Sequence, residues 1–182
     1  VPNPLVPDAN GSGYSMDLEG LERVFAEQRP ALMILCNPHN PGGRVWTKQE
    51  LVDLAEICYD SGILVISDEI HSDMAFGNNK HIPFASVSDK AAQNSITFMA
   101  PSKTFNIAGI VSSYSIIPNE KIRIRFNNYL KSSELEEGHI FAYLAAQAAY
   151  EKGEEWLTEA KEYIWGNILF VEEFLKINIP QI

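Results

Sequence analysis

The sequence predicts an α/β fold of three layers, α/β/α, in which a mostly parallel sheet with one antiparallel strand is followed by a run of helices. Three observations predict it. Two continuous apolar runs, residues 31–36 (ALMILC) and 63–67 (ILVIS), flank an amphipathic helix, the pattern of a strand, a crossover and a second strand returning in parallel. Each run gives way abruptly to polar residues, as at the carboxyl end of a strand in an open sheet. Beyond Pro118 the apolar spacing turns helical and stays so.

The elements follow in order. Residues 1–14 hold three prolines and two glycines without a period, which predicts irregular chain with at most a short edge strand. Asp17 stands as an N-cap before Leu18, Leu21 and Phe25, predicting a short amphipathic helix that ends near Arg29 and Pro30. The run 31–36 then reads as a strand covered on both faces. Thr47 and Glu50 form a capping box, Leu51, Leu54, Ala55 and Cys58 follow at helical spacing, and Gly62 closes the helix before the strand 63–67. Residues 68–94 predict mostly loop with a short helix near 88–92. Residues 95–100 (SITFMA) and 110–117 (IVSSYSII) predict a third and a fourth strand. The nine residues between them are fewer than the dozen or so a parallel return needs, so the fourth is expected antiparallel. Helical faces then group Ile122, Phe126 and Tyr129, next Ile140, Leu144 and Ala148, and finally Trp156, Ala160, Tyr163, Phe170 and Phe174. The chain stops at Ile182 just after a helical stretch, which predicts a truncated domain rather than a closed one.

Length and composition bound the function. A chain of 182 residues is about one domain. With 46% hydrophobic and 21% charged residues it is too apolar for disorder. Fourteen basic against twenty-four acidic residues give a net charge of −10 with no basic cluster, which argues against nucleic acid as a partner. Cys36 and Cys58 form neither a disulfide framework nor a zinc pattern, and a reducing, cytoplasmic setting is expected. The uncharged stretch 104–119 is broken by polar residues and Pro118, so neither a membrane span nor a signal peptide is expected.

The chemistry gathers at the strand ends, where open α/β sheets bind ligands. After the first strand stands Asn40, after the second Asp68 and His71, and after the third Ser102 and Lys103. A lone lysine or aspartate in such a place is ordinarily a solvated side chain or a helix cap. An amide, a carboxylate and an amine converging on one edge suit a pyridine aldehyde, with pyridoxal 5′-phosphate the obvious candidate. Lysine condenses with the aldehyde as a Schiff base, the carboxylate holds the ring nitrogen protonated, and the amide donates to the phenolic oxygen. His71 flanks the same ring or is an ordinary loop histidine.

Three motifs carry a resemblance. Asn37-Pro38-His39-Asn40-Pro41-Gly42-Gly43-Arg44, Ser67-Asp68-Glu69-Ile70-His71 and Ala100-Pro101-Ser102-Lys103-Thr104-Phe105-Asn106 resemble, in order and spacing, the class I/II aminotransferase superfamily of fold type I pyridoxal phosphate enzymes. With the loop Lys80-His81-Ile82-Pro83-Phe84-Ala85-Ser86, they are most similar to its MalY/PatB cystathionine β-lyase-like branch. The resemblance implies a partial cofactor-binding large domain at 1–130, and helices at 131–182 leading toward a small domain outside the chain. It implies that Lys103 is the catalytic Schiff-base lysine, that Asp68 pairs with the pyridinium, and that Asn40, His71 and Ser102 bind the cofactor. The implied activity is β-elimination from cystathionine or another cysteine conjugate, giving pyruvate, ammonia and a thiol, in a homodimer. Transamination of amino acids by the same residues is the alternative, and a non-catalytic fragment with an incomplete cofactor site is the other. Two departures stand out: Val111 where many members have a phosphate-binding arginine, and Ala100 where many have serine. The glycine-containing phosphate turn and the arginine for the substrate carboxylate are expected outside residues 1–182, so this chain by itself is expected to be inactive.

Overall fold

The computed structural model describes residues 1–8 and 13–181. Strand β1 (Val6–Pro7) pairs antiparallel with β2 (Tyr14–Ser15). Next come α1 (Leu18–Gln28), β3 (Leu32–Cys36), α2 (Lys48–Asp60) and β4 (Leu64–Asp68). After two single 3-10 turns, Ser72–Met74 and Phe84–Ser86, the chain continues through α3 (Asp89–Gln93), β5 (Ser95–Met99), α4 (Pro101–Thr104) and β6 (Tyr114–Ile116). Helices α5 (Glu120–Ser132), α6 (Ile140–Lys152) and α7 (Glu154–Asn178) follow. The main sheet has the order β3-β4-β5-β6, with β3, β4 and β5 parallel and β6 antiparallel to β5. The mixed α/β fold, mostly parallel with one reversed strand, is therefore as expected.

Local chemistry explains the first helices. The Asp17 carboxylate accepts from Gly20 N at 2.8 Å and starts α1, which buries Leu21 and Phe25. At α2, Glu50 N donates to the Thr47 hydroxyl while the Glu50 carboxylate accepts from Thr47 N at 2.7 Å, so each end satisfies a donor the helix leaves unpaired. Leu51, Leu54, Ala55 and Cys58 then share one buried face, packed with Leu35, Trp46, Val65 and Phe84. Gly62, at φ +68°, supplies the left-handed turn that sends the chain from α2 into β4.

Three expectations are corrected. The strand 31–36 is covered on one face only: Leu35 is buried while Leu32 and Ile34 are 43% and 68% exposed, because α1 and α2 pack on the side of Leu35 and alternation turns Leu32 and Ile34 to the other. The fourth strand shrinks to Tyr114–Ile116, with Val111 exposed in the chain before it. Residues 101–104, expected only as the polar stretch after the third strand, form a short helix that Pro101 opens at its first turn, where the missing N–H costs nothing. The amino-terminal stretch holds one short strand, β1, within the expectation, and it pairs with Tyr14–Ser15 rather than with the main sheet.

Candidate active site

The register places the carboxyl ends of β3, β4 and β5 side by side: Cys36 is opposite Asp68, and Asp68 is opposite Phe98. Each expected site residue leaves this edge.

From β3 the chain enters a tight turn in which the Asn37–Pro38 and Asn40–Pro41 peptide bonds are both cis. Asn37 N donates to Asp68 O at 2.9 Å, and its buried side chain donates to Ile82 O at 3.0 Å. The Cys36 thiol braces the turn from below, donating to Pro38 O at 3.3 Å and accepting from Asn40 N at 3.4 Å. Arg44 is committed to the scaffold: it donates to Tyr14 O, pairs with Glu50 at 2.8 Å and lies over the Trp46 ring. Asn40 is left exposed at the edge, its Nδ2 3.4 Å from His71 Nε2.

At the end of β4, alternation separates two carboxylates. Val65, Ser67 and Glu69 are buried on the side of α2, whereas Ile66 and Asp68 are half-buried on the other side. Asp68 Oδ1 accepts from Ile70 N at 3.2 Å, and among the described residues Oδ2 has no hydrogen-bond partner. Glu69 is 0% exposed and fully engaged: Oε1 accepts from the Ser67 hydroxyl at 2.8 Å and Phe84 N at 2.9 Å, and Oε2 from His81 Nε2 at 2.8 Å.

Beyond β5, Ala100 and Pro101 are buried and α4 begins. Lys103 projects from it, exposed and without an ion pair or side-chain hydrogen bond among the described residues, and Ser102 is half-buried beside it. The next residue, Thr104, is buried and donates to Asp73 Oδ2 at 2.8 Å. Asn106, at φ +54°, then turns the chain away.

A cleft of about 720 Å³ opens beside Asn40 and His71, with Met74, Phe76 and Trp165 on its far wall. The Phe76 and Trp165 rings stack at 6.3 Å with 7° between their planes. Asp68, Ser102 and Lys103 lie outside its lining. A second cavity, about 440 Å³ between β3 and α1, is walled chiefly by apolar side chains such as Leu21, Phe25 and Ile34.

The structure thus brings Asn40 and His71 into contact and sets Asp68 and Lys103 on the same sheet edge, each with hydrogen-bonding capacity to spare. A carboxylate with one open oxygen, an amide donor and an uncommitted amine fit a cationic pyridine ring bearing a phenolic oxygen and an aldehyde. Sequence reasoning missed the residues that hold these groups in place: Cys36, Glu69, Asp73, His81 and Thr104. Only Glu69 carried a hint, since alternation carries it to the same side as the apolar Ile63 and Val65, where a carboxylate needs partners.

Residues 5–180 match the family model described as aminotransferase class I and II. The chain is 45% identical over 180 residues to cystathionine β-lyase PatB of Bacillus subtilis, a match covering 99% of this chain and 46% of PatB. It is 34% identical over 180 residues to the protein MalY of Escherichia coli, covering 98% of this chain and 45% of MalY. Among solved structures, cystalysin from Treponema denticola, which contains pyridoxal 5′-phosphate, aligns with a TM-score of 0.91 at 34% identity over 97% of this chain and 44% of its own. The pyridoxal phosphate-bound C–S lyase from Staphylococcus hominis aligns with a TM-score of 0.87 at 37% identity, covering 99% and 44%. The chain spans about half the length of the curated relatives it matches.

Proposed function

The chain belongs to the aminotransferase class I and II family, and from that premise we propose that the full-length protein is a pyridoxal 5′-phosphate enzyme that eliminates a thiol from L-cysteine conjugates such as cystathionine. The observation that carries the reading is that Asn40, Asp68 and Lys103 stand at or just beyond the carboxyl ends of three neighbouring parallel strands. The similarity to PatB and to the C–S lyases supports the lyase outcome.

When bound, the cofactor supplies an aldehyde for amines and a cationic ring that draws electrons from the substrate Cα. Lys103 would hold the aldehyde through Nζ and would serve as the base for the substrate Cα proton at the same atom. Asp68 keeps the ring nitrogen protonated through its open oxygen. The Asn40 amide donates to the ring oxygen, His71 holds that amide in line, and the Ser102 hydroxyl contributes to the phosphate site. The overall outcome would be conversion of the cysteine conjugate and water to pyruvate, ammonia and the thiol.

In this reading residues 1–130 form part of the cofactor-binding unit, and 131–182 form the helices leading out of it. The assembly is a cytoplasmic homodimer, and the partner of the site is a small amino-acid substrate. Among the described residues no arginine lines the cleft beside Asn40 and His71, which agrees with a substrate-carboxylate fork supplied from outside this chain and with inactivity of the 182 residues by themselves.

The test is pyruvate release by the full-length protein from cystathionine without an added keto acid. Lys103→Ala is expected to lower that rate by at least about a thousandfold. Undiminished turnover in the variant overturns the assignment of Lys103. A strict keto-acid requirement assigns the protein to transamination, which uses the same residues of this chain.

A further inference from the structure

The hydroxyl beside the candidate lysine is tied to a carboxylate that the reaction itself does not use. Thr104 is 1% exposed and donates to Asp73 Oδ2 at 2.8 Å, so the residue next to Lys103 is fastened to the segment that leaves β4. Helix α4 has four residues, and so short a helix has little cooperative stability of its own. Its orientation depends on what grips it.

The grip continues inward. Asp73 sits in the 3-10 turn Ser72–Met74, which starts with Ser72 N donating to Glu69 O at 2.9 Å. Glu69 in turn is fixed by the Ser67 hydroxyl, Phe84 N and His81 Nε2. An unbroken path of hydrogen bonds and one short backbone turn therefore runs from a fully buried carboxylate to the residue beside Lys103. The segments that follow β4 and β5 are thereby linked beyond the last pair of the two strands' ladder, Asp68 and Phe98.

We infer that Asp73 and Thr104 are positioning residues that set the direction of the Lys103 amine toward the carboxylate of Asp68. The inference rests on the reading of Lys103 as the cofactor lysine. It goes further by naming what aims that lysine. A loosely held amine must find its partner by searching, and misplacement by about an ångström costs up to about a hundredfold in rate.

The test compares Thr104→Val, Thr104→Ser and Asp73→Asn in the full-length protein. One readout is the rate at which pyridoxal phosphate and borohydride label Lys103, located by peptide mass spectrometry. The other is backbone hydrogen exchange over residues 101–106 without cofactor. Thr104→Val keeps the shape and loses the hydroxyl, and it is expected to slow labelling of Lys103 by about tenfold and to speed exchange of that segment. Thr104→Ser restores the donor and is expected to stay within about twofold of the parent on both counts. Labelling at the parent rate in both Thr104→Val and Asp73→Asn overturns the positioning role while leaving Lys103 as the cofactor lysine. Labelling of the parent at other lysines overturns both assignments. Slowed labelling together with normal labelling in Thr104→Ser supports the inference, since a merely destabilised fold would not be rescued at Lys103 alone.

Discussion

Asp68 and Glu69 are chemically alike, adjacent in the chain and opposite in role, because strand alternation sends one to each side of the sheet. Glu69 accepts three hydrogen bonds in the interior, and removing it in Glu69→Ala leaves the Ser67 hydroxyl, Phe84 N and His81 without their acceptor. Urea unfolding should show a loss of about 3 kcal/mol. Asp68→Asn should lose less than about 1 kcal/mol of stability, since one backbone N–H is its only protein partner among the described residues, yet it should weaken cofactor binding by roughly ten- to a hundredfold. The cysteines divide in the same way. Burial pushes the Cys58 thiol up from 9.0 to about 12, so a thiol reagent should modify the half-buried Cys36 and spare Cys58 in the native protein. The folded state holds the Cys58 proton more tightly than the unfolded chain does. Its contribution to stability is therefore complete below pH 9.0 and is lost as pH rises from there toward about 12. Cys58→Ala should flatten the alkaline fall in unfolding free energy over that window.

Among the elements, those written in local chemistry could be read from the sequence and those decided by neighbours could not. The start of α2 lies in two residues, Thr47 and Glu50, and its buried face in four more, so sequence and structure agree closely there. Thr47→Ala should cost about 1 kcal/mol in chemical denaturation, because Glu50 N and the Glu50 carboxylate lose their reciprocal partner. The apolar run of β3 reads the same whether one face or both are covered, and only the packing of α1 and α2 on the Leu35 side leaves Ile34 exposed. Helix α4 is too short to show a period. In the candidate site, Asn40, Asp68 and Lys103 were legible because Asp68 closes β4 and the other two stand four residues beyond the ends of β3 and β5. The ties between Thr104 and Asp73 and between Glu69 and His81 were not, because they depend on the path of the segment between β4 and α3, which no spacing rule predicts.

At the scale of the molecule, burial is lopsided. Helix α2 buries four residues, whereas α5 and α7 bury none and α6 only Ala142. Large side chains such as Phe141, Tyr163 and Phe170 stay two-thirds or more exposed. The 182-residue chain prepared alone should bind a hydrophobic dye strongly and self-associate in gel filtration, and the full-length protein should do neither to the same extent. No helix among the described residues is long and apolar enough to cross a membrane, so these faces are not spans. The sheet edge, by contrast, is assembled from parts that hold one another: the cis turn braced by Cys36, the buried Glu69 and the Thr104 tie. The most direct test of the site is to reduce the full-length protein with borohydride in the presence of pyridoxal 5′-phosphate and locate the added mass by peptide mapping. One equivalent on the peptide containing Lys103 is the predicted result, and an adduct spread over other lysines with Lys103 unmodified would contradict it.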